Sequence, residues 1–404
     1  MTQRHLRIAL YSHDTMGLGH MRRNMLLAEE LASSPHHPSV LLISGSREVR
    51  RFEVARGIDV VSLPALYKDS SATYHARSLG VSLTDLIAVR SATILGALRA
   101  FEPDVFIVDN VPRGAVLELD AALQFLRRRG RTRCLLGLRD ILDEASDVRT
   151  EWARASNFAA IRLNFDTIWV YGDQRVADLA VEYGFPHDIA RRIRYTGYLD
   201  QRVRRGDDEA NGATTDVDGT TVLCMLGGGQ DGLALAEAFA VAELPAPLRG
   251  LLVTGPLMSL ARRESLARAA AQNDRLRIVE FVAHPGAAIR AAHSVITMGG
   301  YNSVCDVLSN GARALVVPRI VPRAEQLIRA ERLSARGLID MMHPDRATSD
   351  ALARWVGSPV REAACEPVRM HSTRGLHDLL DEALTVVPRR APVRLPDMRV
   401  RHAS

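Results

Sequence analysis

The feature that most constrains the fold of this chain is a repeated alternation of short apolar runs with amphipathic helical stretches. In the first half of the sequence, helical periodicity is clearest at residues 22–32, 83–100 and 116–129. The apolar runs that predict strands are residues 6–11, 40–44, 58–63, 105–109, 134–138, 167–170 and 193–195. Strands rich in Val, Ile and Leu that are each followed by a helix indicate βαβ units around a parallel sheet. Because the crossovers of such units are right-handed, we predict a doubly wound α/β layer.

This alternation stops once and then begins again. Residues 199–219 are polar, contain Gly and lack apolar periodicity, which is typical of an inter-domain linker. A second series follows, with apolar runs at 221–226, 250–254, 276–280, 294–298 and 314–318. The 404 residues suffice for two ordinary domains. We predict a Rossmann-like N-terminal domain at 1–198, the linker at 199–219, a Rossmann-like C-terminal domain at 220–387 and a loosely ordered basic tail at 388–404.

The cysteines and the N-terminus indicate the compartment. The four cysteines, Cys134, Cys224, Cys305 and Cys365, lie far apart and form no C-x-x-C pair, which disfavours a zinc site and a secreted disulfide framework. The first residues lack the apolar core of a signal peptide, and no run of about 18 apolar residues predicts a membrane span. We therefore expect a cytoplasmic protein, and peripheral contact of the Arg-bearing helices of the first half with the inner face of a membrane stays open.

The formal net charge of +5 is carried almost entirely by arginine, since Lys68 is the one lysine. Arginine clusters lie at residues 127–129, 191–194 and 202–205, without the interleaved aromatic side chains on which bases could stack. We interpret the clusters as solvated faces and expect no nucleic-acid partner.

A glycine-rich turn follows the first predicted strand. Gly17 and Gly19 permit a tight turn, and the next helix presents free N–H groups at its start. His20 stands at that helix start, where it could act as a general base or merely cap the helix. His13 lies in the same loop, and the spacing does not separate the two histidines.

A second glycine-rich turn opens the C-terminal series, where residues 227–232 match G-x-G-x-x-G after a strand. A nicotinamide dinucleotide site would also need an acid at the end of the next strand, and that strand ends at Val253 and Thr254. No P-loop motif is present. The remaining interpretation is a turn whose backbone can approach a diphosphate.

A third turn, at residues 298–300, leads into a helix that carries Asp306 one turn in, and a later helix begins at Glu325 and Gln326. Two helix N-termini therefore flank one crevice. Asp306 could accept both hydroxyls of a ribose, or it could be a favourable charge in the first turn of a helix. Glu325 and Gln326 could bind sugar hydroxyls, or they could form an exposed polar helix start.

Four stretches together resemble the GT-B glycosyltransferases related to the N-acetylglucosaminyl transferase of the peptidoglycan lipid precursor, the family-28 type. They are GLGH at 17–20, LGGGQDG at 226–232, GGYNSVCDVLSNGARALVVP at 299–318 and EQLIRAERL at 325–333. Within this group the chain is most similar to predicted bacterial glycosyltransferases of unknown acceptor, through GLGHMRRN, GLRDILDE, WVYGD and PRAEQLIRAERL. The resemblance implies the GT-B architecture, in which two Rossmann-like domains face each other across a cleft.

The resemblance also implies roles for individual residues. The donor-binding residues carried over are Gly228, Gly229 and Gln230 beside the diphosphate, Gly300, Asn302 and Ser303 at the helix start that faces it, Asp306 at the ribose, and Glu325 and Gln326 at the sugar. His20 corresponds to the histidine that touches or activates the acceptor, in the loop that contains Gly17 and Gly19. The sequence departs from the family at Glu325, where the related enzyme has Gln, and at Asp306, where it has Glu. These two departures leave the donor sugar and base open.

Three further side chains end strands on the side where ligands bind in open α/β sheets. Arg139 and Asp140 follow one strand and are candidates for acceptor binding. Asp109 ends another strand, and its carboxylate could orient a catalytic histidine or itself be the base.

The expected reaction is transfer of a sugar from a nucleoside-diphosphate donor, a UDP-sugar first, to an acceptor hydroxyl. Helix N-termini and backbone N–H groups would stabilise the leaving diphosphate, so we expect neither a metal nor a bound cofactor. The acceptor could be a polysaccharide, a lipid-linked sugar or a small metabolite. The alternatives are a nucleotide-sugar 2-epimerase of the same fold, a non-catalytic nucleotide-sugar-binding subunit of a transferase, and a dehydrogenase, which the missing acid disfavours.

Overall fold

The computed structural model describes residues 5–15, 19–46, 54–69, 73–203, 217–271, 273–282, 285–359 and 366–385. Gly17, Cys365, linker residues 204–216 and the predicted tail at 388–404 lie outside the described residues. We call residues 5–203 the N-terminal lobe, 217–359 the C-terminal lobe and 366–385 the closing segment.

The described strands of the N-terminal lobe include all seven that the apolar runs predict. They are β1 (Arg7–Ser12), β2 (Ser39–Ser44), β3 (Ile58–Ser62), β4 (Leu66–Lys68), β5 (Tyr74–Ala76), β6 (Val105–Asp109), β7 (Arg133–Arg139), β8 (Thr167–Tyr171) and β9 (Ile193–Tyr195). Among the described residues, seven strands form one parallel sheet in the order β3-β2-β1-β6-β7-β8-β9, and β4 and β5 form an antiparallel hairpin. The central strands β6 and β8 are buried along their whole length, which explains why they appear in the sequence as continuous apolar runs.

The helices of the N-terminal lobe cover both faces of this sheet. They are α1 (Gly19–Ala32), α2 (Leu83–Phe101), α3 (Asp120–Arg129), α4 (Ala145–Arg154), α5 (Asn157–Asn164), α6 (Leu179–Glu182) and α7 (His187–Ala190). The prediction that the third helical stretch begins at residue 116 is wrong, because α3 begins at Asp120. Leu117 has a positive φ of 65°, and Glu118 turns inward to accept hydrogen bonds from Tyr11 (2.6 Å) and Arg90 (2.9 Å), so a helix cannot start there.

The C-terminal lobe repeats the same plan with a smaller sheet. Its strands are β10 (Thr221–Met225), β11 (Arg249–Val253), β12 (Leu276–Val279), β13 (Ser294–Thr297), β14 (Ala314–Val316) and β15 (Asp340–Met341). Its helices are α8 (Leu233–Ala240), α9 (Leu260–Ala270), α10 (Pro285–Ala291), α11 (Tyr301–Asn310), α12 (Glu325–Ala335) and α13 (Ser349–Gly357). Within the described residues the six strands are parallel in the order β12-β11-β10-β13-β14-β15.

The closing segment returns the chain to the N-terminal lobe. Its helix α14 (Thr373–Thr385) packs on α1, where His377 Nε2 donates to the carbonyl of Glu30 at 2.8 Å. His36 and Asp381 form a second contact at 2.6 Å. Leu376 and Leu380 belong to the same buried cluster as residues of α1 and α11, so one apolar core continues from lobe to lobe. Among the described helices, none combines the length and the apolarity that crossing a bilayer requires.

Each sheet reverses its strand order beside its first strand, between β1 and β6 in one lobe and between β10 and β13 in the other. The reversal sends the connections that leave two neighbouring strands to opposite faces of the sheet, which opens a crevice at their carboxyl ends. Each lobe therefore has one expected ligand position, and the loops after these four strands define it.

Candidate active site

A histidine–carboxylate pair lies at the reversal point of the N-terminal sheet. His20 is in the first turn of α1, and Asp109 is the last residue of β6. The two side chains meet with His20 Nδ1 at 2.5 Å from Asp109 Oδ2. Asp109 is only 1 % exposed. Burial alone would raise the pKa of Asp109, but the charges of Arg23 and His20 outweigh it and hold the pKa well below its usual value.

Arg23 completes this cluster, one turn further along α1. Its Nε donates to Asp109 Oδ1 at 2.9 Å, and its Nη2 lies 2.7 Å from each carboxylate oxygen. The same Nη2 is 2.9 Å from His20 Nδ1. The sequence reasoning missed Arg23, because an arginine in an amphipathic helix is usually interpreted as part of the solvated face.

His13 lies beside the pair but has a different environment. Its ring centroid is 4.5 Å from that of His20, with an angle of 51° between the planes. Its Nδ1 is 3.2 Å from the hydroxyl of Thr15. Burial and then the neighbouring charge of His20 lower the pKa of His13 well below its usual value. His13 therefore stays neutral near pH 7 and is a weaker base than an imidazole held by a carboxylate.

The loop that carries His13 is fixed by the end of β2. Asp14 Oδ2 accepts hydrogen bonds from Ser12 (2.5 Å), Ser44 (2.7 Å) and the backbone N–H of Gly45 (3.2 Å). A Cβ on Gly45 would lie 2.1 Å from the carbonyl oxygen of His13, so only glycine fits there. These contacts tie the loop after β1 to the neighbouring strand.

Arg139 and Asp140, the two candidates at the end of β7, have different surroundings. Arg139 reaches across to the C-terminal lobe, where its Nη1 is 3.5 Å from Glu325 Oε1. Asp140 is buried against Arg329, whose Nη2 donates to Oδ1 at 2.7 Å, and Tyr198 donates to Oδ2 at 2.8 Å. An acceptor contact of Asp140 would require this inter-lobe pair to open.

The glycine turns after β10 and β11 pack backbone to backbone. Gly229 has a φ of 86°, and a Cβ on it would lie 2.4 Å from the carbonyl oxygen of Thr254. A Cβ on Gly255 would lie 2.5 Å from the carbonyl oxygen of Gly227. The carbonyl of Gly228 accepts from the N–H of Leu257 at 2.9 Å. The turn, which continues into Gln230, therefore has no room for a side chain at Gly229, and the turn after β11 has none at Gly255.

The N-terminus of α11 faces the N-terminus of α1. Gly300 caps α11 with ordinary φ, and nothing lies within 4 Å of where its Cβ would be. Asn302 Nδ2 donates to the carbonyl of Gly19 at 2.9 Å. Asp306 is 1 % exposed, with its Oδ2 at 3.6 Å from Arg22 Nη2. Ser303, in the same first turn, is also buried.

The head of α12 joins this region through Arg319. The Nη2 of Arg319 donates to Glu325 Oε1 at 3.1 Å, and its Nη1 donates to Asp231 Oδ2 in the glycine turn at 2.8 Å. Gln326 Oε1 accepts from the backbone N–H of Arg319 at 3.0 Å. Burial would raise the pKa of Glu325, but Arg139 and the neighbouring arginines outweigh it and lower the pKa, so Glu325 is an anion.

Sequence-predicted residues from both lobes thus meet at the carboxyl ends of the two sheets. The contacts that cross between the lobes here include Asn302 with Gly19, Arg22 with Asp306, and Arg139 with Glu325, at 2.9 to 3.6 Å. The arrangement puts an imidazole–carboxylate pair on one side and two helix starts with a glycine turn on the other. Such a site can take a proton on one side and stabilise an anion on the other.

Solved structures of the same shape support this architecture. The chain is similar to the glycotransferase of kitacinnamycin (TM-score 0.60, 16 % identity, 95 % of this chain and 100 % of that one). It is also similar to MurG from Acinetobacter baumannii (0.53, 14 %, 96 % and 97 %) and to a putative UDP-N-acetylglucosamine 2-epimerase from Listeria monocytogenes (0.55, 13 %, 97 % and 100 %). No protein-family model matches the sequence, and no curated protein matches it. The chain has the GT-B fold, with two Rossmann-like α/β lobes.

Proposed function

We propose that this chain is a glycosyltransferase that moves a sugar from a nucleoside-diphosphate sugar, a UDP-sugar first, to an acceptor hydroxyl. The observation that carries the proposal is the His20–Asp109 pair at the reversal point of one sheet, opposite a glycine turn and the start of α11 in the other lobe. The fold that the chain shares with glycosyltransferases supports it, as does the resemblance of residues 299–318 to a donor-binding signature. Assignment to the family-28 type is part of this proposal.

His20 acts as the general base in this mechanism. Its Nδ1–H donates to the Asp109 carboxylate, which leaves the lone pair of Nε2 for the acceptor hydroxyl. The acceptor oxygen attacks the anomeric carbon as its proton moves to Nε2. The bond between that carbon and the diphosphate oxygen breaks, and a nucleoside diphosphate leaves.

The C-terminal lobe holds the leaving group. The diphosphate lies against the backbone of Gly228 to Gln230 and the start of α11 at Gly300, Asn302 and Ser303, where N–H groups and the helix dipole favour negative charge. This stabilisation serves the purpose that a metal ion serves in other transferases, so the reaction is metal-independent. Glu325 and Gln326 bind the hydroxyls of the donor sugar.

Asp306 binds the donor ribose in this proposal, and that role requires its contact with Arg22 to open. Asp306 is buried and lies 3.6 Å from Arg22 of the opposite lobe. A ribose can reach the carboxylate only after the lobes separate at this point. Opening and closing of the two lobes would admit the donor and then exclude water from the site.

The acceptor side is formed by the loop with Gly17, Gly19 and His13, and by Arg139 at the end of β7.

A nucleotide-sugar 2-epimerase is the second candidate, because a putative UDP-N-acetylglucosamine 2-epimerase has the same fold over 97 % of this chain. An epimerase turns over the donor with no acceptor present, whereas a transferase needs a second substrate. Product analysis of the UDP-sugar incubated alone with the protein therefore separates the two activities.

The first experiment is a thermal-shift screen of UDP, dTDP, GDP and ADP with their sugars, with NADH as the comparison ligand. A ligand that binds only the native state increases the free energy of unfolding, by about 2.7 kcal/mol at a concentration 100 times its Kd, and so raises the melting temperature. We expect UDP or a UDP-sugar to raise it and NADH to leave it unchanged. A shift with NADH and with none of the nucleoside diphosphates would contradict the proposal.

A further inference from the structure

Arg23 is the one member of the buried cluster at the reversal point to which the proposed mechanism gives no task. It is fully buried, and it binds both oxygens of Asp109 at 2.7 Å. An arginine that only balanced the charge of Asp109 would not need to approach the imidazole. Arg23 Nη2 nevertheless lies 2.9 Å from His20 Nδ1, the atom that Asp109 Oδ2 contacts at 2.5 Å.

This geometry decides which proton the imidazole carries. A neutral imidazole has one N–H, so Nδ1 can donate to Asp109 or accept from Arg23, and Nε2 is a base only in the first case. The carboxylate is the nearer partner of His20 Nδ1, and Nη2 of Arg23 has both carboxylate oxygens as acceptors, each at 2.7 Å. The arrangement therefore favours Nδ1–H with a free lone pair on Nε2.

The guanidinium also opposes a second proton on the ring. Among the described residues, the charged or titratable groups against the His20 ring are Asp109 from β6, Arg23 from α1 and His13 from the loop after β1, while Arg90 from α2 and Arg139 from β7 act on His13. Asp109 alone would favour the imidazolium ion, in which Nε2 is already protonated. A positive charge 2.9 Å from Nδ1 disfavours that ion.

Arg23 is held in turn by the C-terminal lobe. Its guanidinium carbon lies 5.4 Å from the ring centre of Tyr301, the first residue of α11, and 5.9 Å from that of Tyr171 at the end of β8. The guanidinium carbon of Arg329, which is paired with Asp140 of the other lobe, also lies 5.7 Å from the ring centre of Tyr301. The first residue of α11, the helix proposed to face the donor diphosphate, is therefore in contact with Arg23, the arginine beside His20.

We infer that Arg23 is a positioning residue for the reaction: it shares Asp109 Oδ2 with His20, holds the ring proton on Nδ1 with Nε2 free, disfavours a second proton on the ring, and ties this state to α11 through Tyr301. The inference rests on the proposed function for its catalytic consequence. Its structural core, the protonation of His20, can be measured without any turnover.

The test uses the full chain with ¹⁵N-labelled histidine, and the signal of His20 is assigned from its absence in His20→Gln. Long-range ¹H–¹⁵N spectra across a pH series report which ring nitrogen is protonated. We expect the neutral ring of the wild type to carry its proton on Nδ1, and the imidazolium form of His20 to persist to a higher pH in Arg23→Met than in the wild type. Arg23→Lys, which keeps a charge without the bidentate contact, should lie between them.

Arg90→Met is the matched control, because Arg90 is also fully buried in the same lobe and is paired with a buried carboxylate, Glu118 at 2.9 Å. We expect it to lower thermal stability while the His20 signals keep their wild-type pH dependence. Identical His20 titrations in the wild type, Arg23→Met and Arg23→Lys would overturn the inference. An equal shift of the His20 pH dependence in Arg90→Met would also overturn it, since that result would show a general effect of losing a buried arginine.

Turnover supplies the second readout once donor and acceptor are known. Arg23→Met should lower kcat at least tenfold with the donor Kd within twofold of wild type, and the acid limb of its pH–rate profile should move to higher pH. Tyr301→Leu should lower kcat several-fold, while Tyr301→Phe, which keeps the ring, should recover most of it. If no donor and acceptor give product, the proposed function fails while the imidazole spectra still decide the role of Arg23. If the spectra do not change, the role of Arg23 fails while the proposed transfer stands.

Discussion

The two lobes share one topology but build the facing halves of the site from different parts of the chain. At the reversal point of the N-terminal sheet the chemistry is in side chains, since His20 contacts the buried ion pair of Asp109 and Arg23. At the reversal point of the C-terminal sheet the space is lined by backbone, through the turn at Gly229 and the open start of α11 at Gly300. A proton needs a titratable side chain, whereas a diphosphate needs several fixed N–H groups. The difference therefore matches the division of work that we propose between the lobes.

The largest expected effect comes from removing the side chain that defines the N-terminal half of the site. His20→Gln should lower kcat about a thousandfold, since a general base contributes 10²–10⁴. Donor Kd should stay within about threefold, because His20 lies outside the lobe that holds the donor. Steady-state kinetics and donor titration by calorimetry check both.

His13→Gln is the matched control, because the two rings are 4.5 Å apart and only His20 has the carboxylate partner among the contacts described. It should cost at most about tenfold in kcat, less than a base contributes. If His13→Gln lowers kcat more than His20→Gln does, then His13 is the base and the assignment of His20 is wrong.

The second prediction concerns what keeps the two halves opposite each other. Asp140→Asn leaves Arg329 charged and buried without its anionic partner, so the free energy of unfolding should fall by about 3 kcal/mol or more. Glu182→Gln, which removes the inter-lobe partner of Arg332 in an ion pair whose side chains are 24 % and 32 % exposed, should cost about 1 kcal/mol or less. Urea unfolding of both variants gives the comparison. A similar loss for the two would show that the buried pair does not define how the lobes meet.

Much of the fold could be predicted from the sequence, because buried parallel strands are continuous apolar runs. The twelve strands expected at 6–11 through 314–318 are present, and Asp109 and Arg139 end strands as expected. The short hairpin of β4 and β5 was not predicted, since three-residue strands leave too little pattern.

The site was less predictable, because its decisive contacts join residues far apart in the sequence. Arg23 is buried only because Asp109, 86 residues away, ends β6 at that point. Spacing in the first glycine loop could not choose between His13 and His20, and the carboxylate that distinguishes them comes from another strand. The amphipathic pattern of α14 indicates a helix with one buried face, but nothing in the local sequence indicates that this face packs on α1.

The third prediction tests Asp306, the side chain of the C-terminal lobe that we propose to bind the donor ribose. Asp306→Asn keeps the shape and removes the charge that would accept the ribose hydroxyls, so donor binding should weaken by about 2 kcal/mol, close to thirtyfold. The kcat at saturating donor should change less than about threefold. Calorimetric titration with UDP measures the loss.

Asp231→Asn serves as its control, because Asp231 belongs to the glycine turn but is 45 % exposed and pairs with Arg319. It should weaken UDP binding by less than about 1 kcal/mol, as expected for an exposed ion pair. An unchanged affinity in Asp306→Asn would assign the buried contact with Arg22 to lobe packing and remove the ribose from this position.

The smallest effects are expected from Gly229→Ala and Gly300→Ala, which test whether the glycines of the C-terminal lobe are needed because a side chain would not fit at these positions. At Gly229 a Cβ would lie 2.4 Å from the carbonyl oxygen of Thr254, on a residue with φ of 86°, so Gly229→Ala must distort the turn. We expect the free energy of unfolding to fall by about 1–2 kcal/mol and UDP affinity to fall with it. Gly300→Ala meets nothing within 4 Å and has ordinary φ, so its stability should stay within about 0.5 kcal/mol of wild type. Any loss of UDP affinity in Gly300→Ala would then report a ligand that approaches the start of α11 closely, because the empty protein has room for the methyl group. Equal affinities in Gly300→Ala and wild type would place the diphosphate away from that helix start and leave the turn at Gly229 as its main support.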